Sequence, residues 1–197
     1  MLHQELILVL DFGSQYSQLI ARRVRELGVY SELHPYNLLV EAIQNLKPKG
    51  IILSGGPASV YADDAPHSLP ELFHLGIPIL GICYGLQLIA HQLGGEVDQS
   101  ARHEYGPSEV LIDDDSDLFS DLNAASASTV VWMSHGDTLT KLPRGFERIA
   151  HTSNAPICAI RNKEKKIYGV QFHPEVVHTV KGKERSEERR VGKECRL

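Results

Sequence analysis

The feature that most constrains this chain is a cysteine between two glycines, in Gly81-Ile82-Cys83-Tyr84-Gly85, with an apolar run before it and a helix-like run after it. A strand that turns sharply into a helix needs small residues two positions before and two positions after the turning residue, because side chains there would clash across the turn. Such a turn exposes the thiol and places it at a helix N-terminus, where unpaired N–H groups favour the thiolate. The segment therefore predicts a strand–turn–helix elbow, with Cys83 as the nucleophile of covalent acyl chemistry.

A histidine and a carboxylate near the end of the chain are suited to serve as partners of this cysteine. They occur in Gln171-Phe172-His173-Pro174-Glu175, where an extended backbone would place His173 and Glu175 on the same side. An ordinary thiol is mostly protonated at neutral pH, so the reaction needs a base, and histidine suits that task. We predict a triad of Cys83, His173 and Glu175, since a triad is defined by geometry and roles and not by chain order.

Simpler interpretations compete with this one. Cysteine is among the most buried residue types, so Cys83 is also compatible with an inert core position, and Cys158 fits that description well. His173 and Glu175 are also compatible with a turn that exposes a histidine and a solvated carboxylate. The catalytic interpretation is favoured because several features occur together: glycines on both sides of Cys83, a predicted strand before it, a predicted helix after it, and a His-x-Glu elsewhere.

Composition agrees with one compact enzyme domain. The chain has 197 residues, 42% of them hydrophobic and 23% charged, with a formal net charge of -5. Acidic residues outnumber basic ones and no basic stripe interleaved with aromatic residues occurs, so no nucleic-acid partner is expected. No apolar run approaches a membrane span and no basic leader precedes the first strand, so we expect no membrane partner and a cytoplasmic location. Three cysteines do not form a disulfide framework, and no metal site is predicted.

Predicted strands and helices alternate through the first half of the chain. Apolar runs predict strands at residues 5–10, 50–53 and 77–80, and the segment at residues 29–33 is also typical of a strand. Helical spacing and end signals predict helices between residues 14 and 28, at 37–46, at 70–75 and at 86–93. The second half has short strand candidates at residues 109–112, 129–133, 146–152, 157–161 and 167–172, separated by turns. This order predicts an α/β fold: an open, doubly wound, mostly parallel sheet with antiparallel additions.

A glycine-rich loop, Ser54-Gly55-Gly56-Pro57, follows the predicted strand at residues 50–53. In a parallel sheet this loop would lie at the same edge as Cys83. Tetrahedral intermediates need N–H donors aimed at the developing oxyanion, and glycine lets a backbone amide point there without an intervening side chain. We therefore predict that the Gly56 and Tyr84 amides form the oxyanion hole. Taken alone, the loop is better explained as an ordinary Gly-Pro turn.

Two further segments supply candidate substrate-binding residues. Gln87 lies one helical turn after Cys83, which predicts that its side chain faces the nucleophile, with a solvent-facing glutamine as the alternative. The segment from Trp132 to Asp137 ends another predicted strand, where ligand groups collect in open sheets. Its polar residues Ser134, His135 and Asp137 would hold an amino-acid head group, with Asp137 pairing an α-ammonium. Taken alone, His135 is better explained as a capping or core-edge histidine.

These segments together resemble a known family, the class I (triad) glutamine amidotransferase domains of GMP synthases. The resemblance covers about residues 5 to 184. The elbow and His173-Pro174-Glu175 are shared across class I amidotransferases, whereas the other segments are typical of a narrower group, the GMP synthases. The matching segments are Asp11-Phe12-Gly13-Ser14-Gln15-Tyr16, Ser54-Gly55-Gly56-Pro57-Ala58-Ser59-Val60-Tyr61, Gly81-Ile82-Cys83-Tyr84-Gly85-Leu86-Gln87, Trp132-Met133-Ser134-His135-Gly136-Asp137 and Gln171-Phe172-His173-Pro174-Glu175.

The resemblance implies a flavodoxin-like fold and a reaction. L-glutamine would be hydrolysed through a γ-glutamyl thioester on Cys83, and the ammonia would pass to an ATP-pyrophosphatase domain or subunit that converts XMP into GMP in purine biosynthesis. ATP and Mg²⁺ belong to that synthetase site, so this domain is expected to need no cofactor. No Ser-Gly-Gly-x-Asp-Ser loop of such a site occurs in the sequence, since the only Ser-Gly-Gly, at Ser54, continues Pro57-Ala58. We therefore expect that this chain alone does not make GMP.

The last thirteen residues differ from what the family would lead one to expect. Residues 185–197 hold five basic and three acidic residues. A solvated tail is one interpretation, but the segment resembles the translation of a common sequencing adapter joined to a truncated gene. We therefore predict an amidotransferase domain at residues 1–184 and a non-native tail at residues 185–197.

Three other functions remain as alternatives. The first is the glutaminase component of another class I amidotransferase. The second is a cysteine peptidase or deglycase on a related fold, which would share the elbow but has no reason to carry both Gln87 and the segment from Trp132 to Asp137. The third is a flavodoxin-like binding module, whose phosphate loop should be rich in Ser and Thr, unlike Asp11-Phe12-Gly13.

Overall fold

Nine strands form a single mixed sheet in the part of the chain that the computed structural model describes, which is residues 5–120 and 128–176 without the side chains of residues 100–103. The predicted boundary at residue 184 and the tail at residues 185–197 lie outside the described residues. In chain order the strands are β1 (Leu6–Asp11), β2 (Tyr30–Pro35), β3 (Gly50–Leu53), β4 (Ile79–Ile82), β5 (Glu96–Ile112), β6 (Ser128–Lys141), β7 (Glu147–His151), β8 (Ala159–Asn162) and β9 (Ile167–Val170). Across the sheet their order is β2-β1-β3-β4-β9-β8-β7-β5-β6.

The sheet is parallel on one side and antiparallel on the other. Strands β2, β1, β3, β4 and β9 pair in parallel, whereas β8, β7, β5 and β6 are joined to the sheet and to one another by antiparallel pairing. This confirms the predicted α/β class with antiparallel additions. One detail of the prediction is wrong, because β9 was expected among the antiparallel additions and instead runs parallel to β4. The chain reverses between β8 and β9 through a turn at Lys166, whose φ is 55°, and this reversal gives β9 the direction of β4.

Helices cover both faces of the parallel part. They are α1 (Ser17–Glu26), α2 (Val40–Leu46) and α3 (Tyr84–Gln92), together with a short 3-10 helix at Pro70–His74 where the sequence predicted an ordinary helix. Helix α2 begins three residues later than predicted, because β2 extends to Pro35 and a turn follows, in which Leu38 N–H donates to Pro35 O. None of the helices in the described residues is long and apolar enough to cross a membrane.

Two apolar cores lie on opposite faces of the sheet. Successive side chains of a strand point to opposite faces, and in β1 Ile7 and Val9 belong to one core while Leu8 and Leu10 belong to the other. Helix α1 packs on the first core, and α2 and α3 pack on the second. Residues 84–90 of α3 are all buried, so the helix that follows the cysteine is held firmly against the sheet.

Strands β5 and β6 form a hairpin much longer than the sequence predicted. The prediction placed strands only at residues 109–112 and 129–133 and placed the segment from Trp132 to Asp137 at a strand end. In the structure that segment lies inside β6, where residues 131, 133 and 135 are buried in alternation. It pairs with a stretch of β5 that is polar and irregular, with a register shift between Gln99 and Glu104, and this irregularity hides the strand in the sequence. The hairpin thereby carries polar groups across to the cysteine.

Candidate active site

Cys83 occupies the predicted elbow between β4 and α3, but the expectation that the turn exposes the thiol is wrong, because Cys83 is buried at the edge of one apolar core. Its backbone φ is 51°, a value that residues other than glycine seldom adopt, and its N–H donates to Val170 O of β9 at 2.8 Å. A Cβ atom on Gly81 would lie 2.5 Å from the backbone of Gly85, and one on Gly85 would lie 2.5 Å from Leu53 O. Both flanking glycines are therefore required by close backbone approach, as the sequence predicted.

His173 and Glu175 lie beside the cysteine because β9 ends next to β4. His173 Nδ1 and Glu175 Oε1 are 2.7 Å apart, and both side chains are buried. His173 also hydrogen-bonds to Cys83. Burial by itself lowers the pKa of the imidazole, but the hydrogen bonds to Cys83 and Glu175 and the charges of these two groups outweigh burial and raise the pKa of His173 to about 10. The geometry therefore brings the three predicted residues together, with a protonated imidazole between sulfur and carboxylate.

Two side chains from the α1 region, Tyr16 and Arg23, contact this pair, and we had predicted a role for neither of them. The Tyr16 ring packs edge-on against the His173 imidazole, with ring centroids 5.5 Å apart. Arg23 Nε donates to the main-chain oxygen of Glu175 at 3.0 Å, while its Nη1 donates to Glu26 Oε2 at 2.7 Å. The second carboxylate oxygen of Glu175 is buried and has no hydrogen-bond partner within the described residues. An arginine on a helix gives no sequence signal for such a contact, since its partner is 152 residues away.

The glycine-rich loop lies where the sequence predicted, at the same sheet edge as Cys83. The Ser54 hydroxyl accepts from Phe12 N–H at 2.9 Å and donates to Gly55 O at 2.8 Å, which ties the loop to the end of β1. A Cβ atom on Gly55 would lie 3.2 Å from His173 Cε1, and one on Gly56 would lie 2.6 Å from Phe12 O. A side chain at Gly55 would crowd the imidazole, and one at Gly56 would clash with the backbone that follows β1.

The two amides that we predicted as oxyanion donors lie in adjacent segments. A Cβ atom on Gly56 would lie 3.4 Å from Tyr84 Cγ. Tyr84 is the first residue of α3, and the first N–H groups of a helix have no intrahelical partner. The Tyr84 ring is buried and its hydroxyl donates to Pro66 O at 2.8 Å, so its backbone is held at the start of the helix. Burial raises the pKa of Tyr84 to about 12, so this hydroxyl keeps its proton.

Gln87 is buried and does not face solvent. Its amide nitrogen donates to Asp137 O at 3.0 Å and lies 3.5 Å from Gln171 Oε1. Gln171 is fully buried, and its own amide nitrogen lies 3.6 Å from Cys83 Sγ. Gln87 thus reaches the nucleophile through Gln171, a residue that the sequence motif contains but to which we assigned no role.

The polar residues of β6 take different places around the site. Ser134 O accepts from Cys83 Sγ at 3.5 Å. His135 is buried with Nδ1 at 3.0 Å from Asp137 O and Nε2 at 3.1 Å from Glu104 Oε2, and burial lowers its pKa, while Glu104 offsets part of this effect. Both of its ring nitrogens are engaged within the protein, which fits the core-edge interpretation. Across the described part of the chain, no group of three or more His, Cys, Asp or Glu residues is arranged to hold a metal ion.

Comparison with known sequences gives one consistent result. A family model described as glutamine amidotransferase class-I matches residues 8–190. The GMP synthase (glutamine-hydrolyzing) of Nostoc sp. is 58% identical over 181 residues, which are 92% of this chain and 33% of that protein. The corresponding protein of Brachyspira hyodysenteriae is 53% identical over 176 residues, which are 89% of this chain and 34% of that protein. The chain therefore spans about a third of the length of these curated relatives.

Solved structures give the same answer. A protein from Thermoplasma acidophilum, described as one of the subunits of a GMP synthase, superposes with a TM-score of 0.79 at 30% identity, covering 95% of this chain and 93% of that one. A glutamine amidotransferase from Thermotoga maritima superposes with a TM-score of 0.69 at 25% identity, covering 88% of this chain and 77% of that one. Since the family model covers most of the chain and the Thermoplasma protein is matched over nearly its whole length, the chain belongs to the class-I glutamine amidotransferase family.

Proposed function

We propose that this chain is the glutaminase part of a GMP synthase, which hydrolyses L-glutamine to glutamate and ammonia through a thioester on Cys83. The observation that carries the proposal is the elbow cysteine, hydrogen-bonded to His173, which is in turn hydrogen-bonded to Glu175. Membership of the class-I glutamine amidotransferase family supports glutamine as the amide substrate. The names of the relatives support GMP synthase in particular.

The triad residues have distinct roles in the proposed reaction. The Cys83 thiolate attacks the side-chain carboxamide carbon of glutamine, and the Gly56 and Tyr84 amides stabilise the oxyanion that forms. His173 gives its proton to the departing nitrogen as the C–N bond breaks, which leaves the γ-glutamyl thioester and ammonia. A water molecule then loses a proton to His173 and attacks the thioester, which releases glutamate and restores the thiolate. Glu175 orients the imidazole and stabilises its positive charge.

The amino-acid end of glutamine is assigned to the region of Gln87, Ser134, His135 and Asp137. Asp137 is the residue we assign to the α-ammonium, because no hydrogen bond occupies its carboxylate among the described residues, whereas its main-chain oxygen takes both Gln87 and His135. Ser134 lies beside the sulfur through its main-chain oxygen. We assign indirect roles to Gln87 and His135, which hold the backbone of Asp137 in place.

The ammonia is proposed to be used outside this chain. The relatives are about three times as long as the matched region, which leaves room for an ATP-pyrophosphatase domain that aminates XMP to GMP. In this proposal ATP and Mg²⁺ act in that domain, or in a separate subunit, and the glutaminase needs no cofactor. We keep the cytoplasm as the expected location.

Labelling of the nucleophile tests the proposal. A glutamine-analogue electrophile should label Cys83, and Cys83→Ala should abolish both labelling and glutaminase activity. Cys158→Ala is the matched control, since Cys158 is also a buried cysteine that forms no disulfide, and it should change neither. Label found mainly on Cys158 would refute the assignment. Turnover of peptides in preference to glutamine would favour a cysteine peptidase instead.

A further inference from the structure

Gln171 is a fully buried amide that lies against the nucleophile. It follows β9 directly, and its main-chain N–H donates to Cys158 O at 2.8 Å, which fixes its backbone. Its side chain has no exposed surface, so each polar atom of its amide must find a partner inside the protein or cost free energy. The partners present are Gln87 on one side and Cys83 Sγ on the other.

The surrounding hydrogen bonds decide which way the Gln171 amide points. The main-chain oxygen of Asp137 only accepts hydrogen bonds, so Gln87 must turn its NH₂ group towards it, at 3.0 Å. The same NH₂ group lies 3.5 Å from the Gln171 amide, which must therefore present its oxygen to Gln87. Its nitrogen is left facing the sulfur, at 3.6 Å from Cys83 Sγ. In the opposite orientation the NH₂ groups of Gln171 and Gln87 would face each other as two donors, and the Gln171 oxygen would face a sulfur that, as a thiolate, only accepts.

The sulfur thus has different neighbours for its two protonation states. The thiol donates to Ser134 O at 3.5 Å, and that oxygen offers nothing to an anion. The thiolate only accepts, and it meets an N–H group of Gln171 on one side and the protonated imidazole of His173 on another. A hydrogen bond to the charged form favours that form.

We propose that Gln171 is a catalytic residue, which donates an N–H hydrogen bond to the Cys83 thiolate, with its amide held in the productive orientation by Gln87 and Asp137. This inference rests on the proposed function and adds a second donor to the sulfur beside His173. In the thiolate state Gln171 holds the sulfur in place for attack. Gln87 then acts on the nucleophile through Gln171.

The rate of Cys83 alkylation by iodoacetamide, measured across pH, tests this inference without glutamine. Gln171→Met keeps the length of the side chain and removes the donor, so the midpoint of the alkylation profile should move to higher pH by about 0.5 to 1 unit. Gln171→Glu sets an acceptor against the sulfur and should move the midpoint further in the same direction. Gln44→Met, on the exposed face of α2, is the matched control and should leave the profile unchanged.

A purely structural role would lower the thermal unfolding midpoint of Gln171→Met without moving the alkylation profile of the folded protein, and that result overturns the inference. If Gln171→Met does not fold, Gln87→Met provides the same test, because it releases the Gln171 amide from its orientation and should shift the profile in the same direction. Wild-type chain whose Cys83 resists alkylation while Cys158 reacts would contradict the proposed function as well. A reactive wild type with unshifted variants would refute the role of Gln171 alone.

Discussion

At the scale of single residues, the proposed roles of His173 and Glu175 predict that substituting them lowers the glutaminase rate by unequal factors. Removing His173 removes the only proposed proton carrier, whereas Glu175→Gln removes orientation and charge but keeps a group of the same shape. We expect His173→Ala to lower the glutaminase rate by roughly 10³-fold or more and Glu175→Gln to lower it less. Steady-state kinetics at the pH optimum of each variant measures this. Near-normal turnover by His173→Ala would show that another base serves.

The charge of His173 can be followed directly. The raised pKa of about 10 predicts that the imidazole of the wild type keeps its proton from pH 7 to about 9. Cys83→Ala and Glu175→Gln each remove a group that raises this pKa, while burial, which lowers it, remains. The imidazole should therefore lose its proton at lower pH in both variants, as measured by NMR of its ring nitrogens. Identical titration in all three proteins would contradict the ion-pair arrangement.

At the scale of elements, the elbow between β4 and α3 needs glycine because the backbones approach closely there, and a pair of glycine substitutions can test this. A Cβ atom at position 85 would lie 2.5 Å from Leu53 O, so Gly85→Ala must push α3 away from β3 and should cost about 3 kcal/mol of unfolding free energy or more. Gly76→Ala is the control: it meets no atom within 4 Å and carries only the strain of φ +69°, which costs about 1 kcal/mol. Chemical denaturation compares them. Equal losses would mean that close approach is unimportant.

The strands and helices differ in how well they could be predicted from the sequence. The elbow and the strands of the parallel part were predictable, because their requirements are local: small residues at fixed spacing and continuous apolar runs. Strands β5 and β6 were predictable only at residues 109–112 and 129–133, since polar residues and a register shift break the strand pattern of the rest. The contacts of Gln171 and Arg23 were also hidden, because their partners lie 84 to 152 residues away and only the folded sheet brings them together.

At the scale of the whole molecule, a glutaminase that feeds a partner wastes glutamine if it runs freely. One proposed oxyanion donor, Gly56, belongs to a glycine-rich loop whose backbone has the freedom to reorient, whereas the other, Tyr84, is held at the start of α3. We expect the isolated chain to bind glutamine and hydrolyse it slowly. Adding a GMP synthase ATP-pyrophosphatase domain with XMP, ATP and Mg²⁺ should stimulate hydrolysis, measured as glutamate released.

A shortened chain that ends at Glu184 is the control for this experiment, because it removes the segment that resembles an adapter translation. It should respond to the partner at least as strongly as the whole chain. If the shortened chain alone hydrolyses glutamine as fast as it does with a loaded partner, the oxyanion hole is preformed and the idea of gating is wrong.

The backbone angle at Cys83 has a thermodynamic consequence. Cys83 has a backbone conformation, φ 51° and ψ -104°, that suits glycine. Placing a cysteine there for the proposed reaction therefore lowers the stability of the fold. Cys83→Gly and Cys83→Ala both delete the sulfur, but only glycine relaxes the turn. We expect the glycine variant to be the more stable of the two inactive proteins by about 1 kcal/mol, the reverse of the usual order of these residues. Thermal unfolding of the pair would thus measure how much stability the fold gives up to hold its nucleophile in position.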